Sequence, residues 1–459
     1  MMDNGLARLR RALERTQAGH AVGRVAEVRE GLLTIAGLDH TARVGDRVRL
    51  FRAGRPLHGE ILRLGPGGAT VLPEGSAEGV ALGDRAAHFG PPRLAPCAAW
   101  LGRVLDPHGH PLDGGALPVG GVERPLDAPA PGPAERRGMG GRLATGLAVF
   151  DTLLPFARGQ RLGLFAPAGA GKSSLLARLL PAVEADVVVV ALVGERGREV
   201  AETVVRLGAG RDRSVIIAAT ADQPPVLRRR CALAAMVVAE HFRECGAQVL
   251  LAVDSITRMA EAHREVALAV GEAPALGGFP ASTAALLTAL CERAGPGAGP
   301  EGDITALLSV LTPGTEEEGP VAEMLRGVID GHVVLSREIA ERGRFPAVDL
   351  PRSLSRSLPG VATGAENAAI TEARRLLAAH DRAALMLQSG LYRAGGDPVL
   401  DRAVSAFEAL DAFIAQPSPG VTESFEALAS ALGRDGHALL AELRKTRQCG
   451  SEKRPAPRP

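Results

Sequence analysis

The sequence predicts an α/β fold in three parts: a small β-barrel, then a core built on a parallel sheet, then a group of helices. Three observations predict it. Between residues 21 and 89, short β-type runs alternate with glycine-containing turns. Through the middle of the chain, runs that are apolar throughout alternate with helical stretches, the pattern of a parallel sheet covered on both faces. From about residue 361 the β-type runs cease and helical spacing takes over.

The elements follow in order. In LARLRRALER, residues 6–15, Leu6, Leu9 and Leu13 share one helical face, with Arg8, Arg10, Arg11 and Arg15 around it. A basic amphipathic helix over residues 1–20 fits peripheral contact with an acidic membrane or docking to a partner helix; a surface helix packed on its own domain fits equally. Runs at 22–28, 32–35, 47–51, 60–64 and 70–72, with turns such as Val44-Gly45-Asp46 and Leu82-Gly83-Asp84, predict a closed barrel over 21–89. Such a barrel binds oligonucleotides or builds an assembly ring, and an aromatic content of 3% favours assembly.

Residues 90–360 form the predicted core, opening with a stretch rich in Pro and Gly up to 143. Strands are expected at 161–165, 187–193, 214–219, 249–253 and 304–311, and a helix over 173–180 that stops at Pro181. Helices at 365–379, 382–388 and 401–415 make up a C-terminal domain over 361–445. TRQCGSEKRPAPRP, residues 446–459, has nothing to bury and is expected to be a disordered tail.

Composition narrows the function. The net charge of +1 and the single Trp100 and Tyr392 argue against a nucleic-acid partner. Five cysteines without paired spacing read as reduced thiols of a cytoplasmic protein. His241 and Cys245 stand four apart on an expected helix but lack a second ligand pair, so no metal is expected there. No run reaches the ~18 apolar residues of a membrane span, and no signal peptide is recognised.

Against fifty arginines the chain has three lysines: Lys172, Lys445 and Lys453. For its first 444 residues arginine serves every cationic task except at Lys172, in APAGAGKS at 166–173. A flat guanidinium cannot replace a compact ammonium that reaches between two phosphates. Between an expected strand and an expected helix, backbone N–H groups of Gly169, Ala170 and Gly171 can wrap a phosphate. Ser173 supplies a hydroxyl for Mg²⁺, and Ser174 continues the turn. The loop departs from G-x-x-x-x-G-K-[ST] in having Ala166 first, and Pro167 removes one N–H. The reading is a nucleotide hydrolase.

Hydrolysis also needs a carboxylate that orients water, one near the metal, and positive charge for the transition state. Asp254 ends the run 249–253, and Glu195 lies in GERGREV at 194–200, directly after the run 187–193. Both fall where ligands of parallel sheets bind.

The motifs GRVLDPHGHPLDG at 102–114, ATG at 144–146, RGQRLGLFAPAGAGKS at 158–173, GERGREV at 194–200, DSITRMAEAHREVALAVGEAPA at 254–275, DGHVVLSREIAERGRFPAVDL at 330–350, SLSRS at 353–357 and LYRAGGDPVLDRAV at 391–404 complete the pattern. Together they resemble the hexameric ATPases of flagellar and type III protein export, relatives of the catalytic subunit of rotary ATP synthases. The resemblance runs from about residue 20 to about 435.

The resemblance implies a RecA-like P-loop ATPase core working on ATP with Mg²⁺. It assigns phosphates and Mg²⁺ to Lys172 and Ser173, the catalytic carboxylate to Glu195, a place in the catalytic pocket to Arg196, and the metal-side acid to Asp254. Arg258 is placed near the γ-phosphate, Phe345 (Tyr in many relatives) against adenine, and Arg356 as the arginine finger inserted into a neighbour's site. Implied partners are a homo-hexamer, a stator-like regulator at the N-terminal helix, and a central stalk protein facing the loop at 271–282. An export gate and substrate–chaperone complexes complete them, with peripheral association at the inner-membrane export apparatus.

Met259, Glu323 and Leu276-Gly277 depart from the family pattern without touching the proposed chemistry. The segments at 340–344 and 391–404 look flagellar in type. An injectisome ATPase, a rotary synthase subunit, a ring-shaped RNA translocase and a nucleotide-binding scaffold without turnover are the competing readings.

Overall fold

The computed structural model describes residues 19–52, 55–117, 121–313 and 319–433. The amphipathic helix expected at 6–15 and everything after 433, including the expected tail, lie outside them.

Six antiparallel strands, Val22–Arg29, Leu32–Ala36, Arg47–Phe51, Leu57–Gly65, Gly68–Pro73 and Arg85–Gly90, close into a barrel in which the last pairs with the first. Alternate residues such as Leu33, Ile35, Val48, Leu50, Ile61 and Val71 fill its interior, as the two-residue side-chain period of a strand requires.

The central sheet runs in the order Val348–Ser355, Gly331–Leu335, Arg161–Pro167, Asp303–Thr312, Val249–Asp254, Val187–Glu195, Ser214–Thr220, Val104–Leu105. Neighbours along this path are parallel except the first pair. All nine residues of Val187–Glu195 are buried. Val188, Val190 and Leu192 join the core on one face, and Val187, Val189, Ala191 and Val193 join that on the other. A strand with no solvent face needs no polar residue, which is why its sequence reads as an unbroken apolar run.

Helices Pro225–Glu244, Ile256–Ala269, Ala281–Arg293 and Pro320–Arg326 contribute to one core. Helix Lys172–Ala182 contributes to the other, together with Gly364–Arg382, Pro398–Ala415 and Val421–Ala431. Gly364–Arg382 opens with a capping box in which Thr363 and Glu366 satisfy each other's backbone N–H.

Several details differ from expectation. The helix beginning at Lys172 does not stop at Pro181 but ends at Ala182. A proline so near the end removes one intrahelical bond, and Val183 N–H still reaches Leu179 O at 2.9 Å. Arg85–Gly90, Gly331–Leu335, Val348–Ser355 and Val421–Ala431 are elements beyond those the sequence predicts.

Barrel and core meet through buried charge. Arg230, 3% exposed, donates to Glu60 Oε2 at 2.8 Å and Glu74 Oε1 at 2.6 Å, both on or beside barrel strands. His108 also meets Glu74, at 2.9 Å. Burial by itself would raise the Glu74 carboxyl, but His108 and Arg230 hold it down at about 2.

Candidate active site

Strand Arg161–Pro167 lies between Asp303–Thr312 and Gly331–Leu335 and delivers the chain into a tight loop at the sheet's carboxyl edge. Gly169 and Gly171 carry φ of 83° and 84°, a left-handed backbone that glycine adopts without steric cost. Gly171 is also the N-cap of helix Lys172–Ala182 and offers no side-chain cap. The first-turn N–H groups of Lys172, Ser173 and Ser174 therefore lack the usual side-chain acceptor, the condition under which a helix start takes an anion. Ala170 is buried beneath this loop, while Ser173 and Ser174 are exposed on it.

Three further elements converge on the loop. Val249–Asp254 and Val187–Glu195 pair in parallel with Leu192 opposite Asp254, so their terminal carboxylates emerge side by side. Lys172 Nζ pairs with Asp254 Oδ1 and lies 4.0 Å from Glu195 Oε1. Ser309 Oγ donates to Asp254 Oδ1 at 2.6 Å. Arg258, in the first turn of helix Ile256–Ala269, bonds Gly194 O and sits 3.5 Å from Glu195 Oε2. The Phe345 ring packs on Gly171, where an added Cβ would lie 3.0 Å from Phe345 Cε1, and it remains 44% exposed.

Electrostatics set Glu195 apart. Burial above all, then its hydrogen bond to Glu199 and the charge of Asp254, push its carboxyl up to about 8, against the pull of Lys172 and Arg258. The Glu199 carboxyl is held below its ordinary value, chiefly by that same bond. The two carboxyls therefore share one proton between them more readily than either would alone.

The loop, Lys172, Ser173, Glu195, Asp254, Arg258 and Phe345 are thus gathered in one place. Arg196 and Arg356 are not. The Arg196 side chain is 72% exposed and its ion pair is with Glu199 at 3.7 Å. Arg356 N–H bonds Asp330 O at 2.9 Å, and Asp330 N–H bonds Arg161 O at 2.8 Å. That anchors Arg356 at the amino-terminal root of the strand whose other end carries the loop. A seven-residue strand spans about 20 Å, too far for one side chain to bridge.

Glu199 and Ser309 carry no role in the sequence reading. Glu199 stands four residues from Glu195 in the same motif, and Ser309 interrupts the apolar run 304–311; each is a visible signal.

Ser173, Glu195 and Asp254 line a common cavity of about 250 Å³ beneath helix Gly197–Leu207. A hydroxyl and two carboxylates are hard oxygen donors, which suits Mg²⁺. Among the described residues no group of three His, Cys, Asp or Glu side chains forms a metal cage. Mg²⁺ takes most of its ligands from water and phosphate.

Phosphate-loop nucleoside triphosphatases are the class that pairs this sheet edge with this site. Comparison with known proteins narrows the class. Residues 146–355 match the ATP synthase alpha/beta family, nucleotide-binding domain, and residues 362–433 match the T3SS EscN ATPase C-terminal domain. The flagellum-specific ATP synthase of Caulobacter vibrioides is 40% identical over 442 residues, 94% of this chain and 98% of that protein. The type 3 secretion system ATPase of Xanthomonas euvesicatoria is 39% identical over 415 residues, covering 89% and 93%.

Among solved structures, the assembled ATPase EscN of the enteropathogenic E. coli type III secretion system superposes with a TM-score of 0.83 at 33% identity, covering 90% of this chain and 100% of that one. EscN in complex with its central stalk EscO gives 0.81 at the same identity and coverage. The chain belongs to the family of flagellar and type III secretion ATPases. Among its described residues no helix is long and apolar enough to cross a membrane.

Proposed function

We propose that six copies of this chain form a ring that hydrolyses Mg-ATP at sites shared between neighbours and powers flagellar protein export. The observation that carries this reading is the separation of Arg356 from its own phosphate loop. The residues that bind phosphate and polarise water stand at one edge of the sheet, and the arginine that steadies the transition state stands at the other. Only a second copy can bring the two together.

In this mechanism the N–H groups of Gly169, Ala170 and Gly171, with Lys172, Ser173 and Ser174, hold the phosphates, and Phe345 stacks on the base. Lys172 exchanges Asp254 for phosphate oxygens as the nucleotide enters. Ser173 and Asp254 would hold Mg²⁺, which supplies neutralising charge to the phosphates. Glu195, once ionised, accepts a hydrogen bond from the attacking water and directs a lone pair at the γ-phosphorus. Arg258 reaches toward the γ-phosphate, and Arg196 turns in from its exposed position to complete the wall. Arg356 of the adjacent copy meets the charge that develops on the transferred phosphoryl.

The partners follow from the same reading. The loop at 271–282, with Leu276 54% exposed, faces the ring channel and a central stalk protein; EscN, too, forms a complex with a central stalk, EscO. A stator-like regulator binds the N-terminal helix, and an export gate with substrate–chaperone complexes receives the ring at the inner membrane.

The test is ATPase rate against protein concentration, for wild type and for an equimolar mixture of Glu195→Gln and Arg356→Ala chains. Shared sites predict turnover per chain that climbs with concentration, and partial rescue in the mixture. Flat specific activity without rescue, in chains shown to exchange between assemblies, would sink the shared site.

A further inference from the structure

Arg356 is one exposed residue held between two buried ones. Ser355 and Ser357 point inward, 6% and 4% exposed, and both hydroxyls donate to Pro155 O, at 2.7 and 3.1 Å. The side chain of Gln160, 0% exposed, closes the arrangement from behind. Its Oε1 accepts from Ala157 N–H at 2.9 Å, and its Nε2 donates to Ser355 Oγ at 3.0 Å and to Asp330 O at 3.1 Å. Asp330 O is the same carbonyl that receives Arg356 N–H. The carboxylate of Asp330 in turn binds Arg161 N–H and Nε, both at 3.0 Å.

Every polar atom of this amide is therefore used, and two of its three bonds end on groups that fix the backbone of Arg356. Gln160 also precedes Arg161, the first residue of the strand that carries the chain's own phosphate loop. One buried side chain thus ties the base of that strand to the residue that serves the next copy.

We propose that Gln160 is a positioning residue for Arg356. It sets the register of the 355–357 segment against the root of the phosphate-loop strand, so that the arginine projects at the angle the neighbouring site requires. This rests on the trans role of Arg356 proposed above. A well-held donor is worth most when it needs no reorganisation at the moment of reaction. An Arg356 whose anchor has slackened should still leave nucleotide binding intact, because the phosphate loop lies at the far edge of the sheet.

The test compares Gln160→Leu, Arg356→Ala and the double variant in steady-state ATP hydrolysis by the full chain. Positioning predicts that Gln160→Leu lowers kcat at least tenfold and leaves KM for ATP within twofold. The double variant should be no slower than Arg356→Ala alone, since an absent arginine has no position to lose. Mixing Gln160→Leu with Glu195→Gln chains should restore turnover, as mixing Arg356→Ala with them does.

A fall in kcat that multiplies in the double variant, a raised KM, or no rescue by mixing would assign Gln160 to general stability and overturn the inference. Full turnover by Arg356→Ala would overturn the trans arginine itself, and the inference with it. Should Gln160→Leu fail to fold, Ser355→Ala removes the partner hydroxyl and carries the same comparison.

Discussion

The ring of Phe345 rests on Gly171, so the residue proposed to stack on the base also limits what the phosphate loop can carry at its last position. An alanine at either Gly169 or Gly171 carries the ~1–2 kcal/mol cost of an L residue in left-handed backbone. Around Gly169 a new Cβ meets nothing within 4 Å, whereas at Gly171 it meets the ring at 3.0 Å. Titration with a fluorescent ATP analogue should show weaker binding for both variants. Gly171→Ala should be the worse by at least a further factor of three; equal losses would mean the ring yields freely.

Phe345 should govern affinity more than rate. Stacking of a base on an aromatic ring is worth about 1–3 kcal/mol, so Phe345→Leu should raise KM for ATP on the order of tenfold. Phe345→Tyr should leave KM near the wild-type value. A kcat that falls in step with the KM change in Phe345→Leu would place the ring nearer the chemistry than proposed.

Turnover should rise with pH. Glu195 sits at about 8, so the carboxylate that polarises water accumulates as pH climbs through that value, and activity is lost on the acid side. Glu199 is one of the groups that raise it. Replacing that carboxyl with Glu199→Gln should lower the Glu195 value and move the acid limb of the kcat profile to lower pH. A limb that stays in place, or moves up, would separate the pH dependence from this pair.

Arg230 should matter for stability rather than chemistry. Removing one partner from a buried charge pair typically costs about 3–5 kcal/mol; here Glu60 would keep Arg229 and Glu74 would keep His108, which softens the loss. Arg230→Ala should lower the denaturant midpoint of unfolding markedly, and Arg230→Lys should recover only part of it, because an ammonium cannot span two carboxylates as the guanidinium does. A midpoint unchanged within error would show that the barrel is held to the core by other contacts.

The central strands are legible in the sequence because burial on both faces leaves unbroken apolar runs, as at 187–193 in strand Val187–Glu195. Gly331–Leu335 and Val348–Ser355 are not legible in the same way. In the latter, Ser353 and Ser355 turn inward and Arg352 and Leu354 outward, inverting the usual polarity of a half-buried strand. Arg85–Gly90, where Ala86 joins the barrel core and the adjacent Ala87 on the other face is buried too, likewise lacks a strong alternation. At the site, the lone Lys172 and the two strand-terminal carboxylates can be read from pattern alone. The bond between Glu195 and Glu199 cannot, because it depends on how helix Gly197–Leu207 stands over the sheet.

The helix that starts at Lys172 shares its core with the C-terminal helices: Leu175 and Leu179 belong to the same cluster as Leu376, Leu410, Phe413 and Phe425. The apolar core therefore runs on across the change of secondary structure near residue 361. Truncating the chain there would bare helix Ala148–Asp151 and strand Val348–Ser355, against which the C-terminal helices pack, and invite aggregation. A cut at that point would divide one apolar core between two fragments.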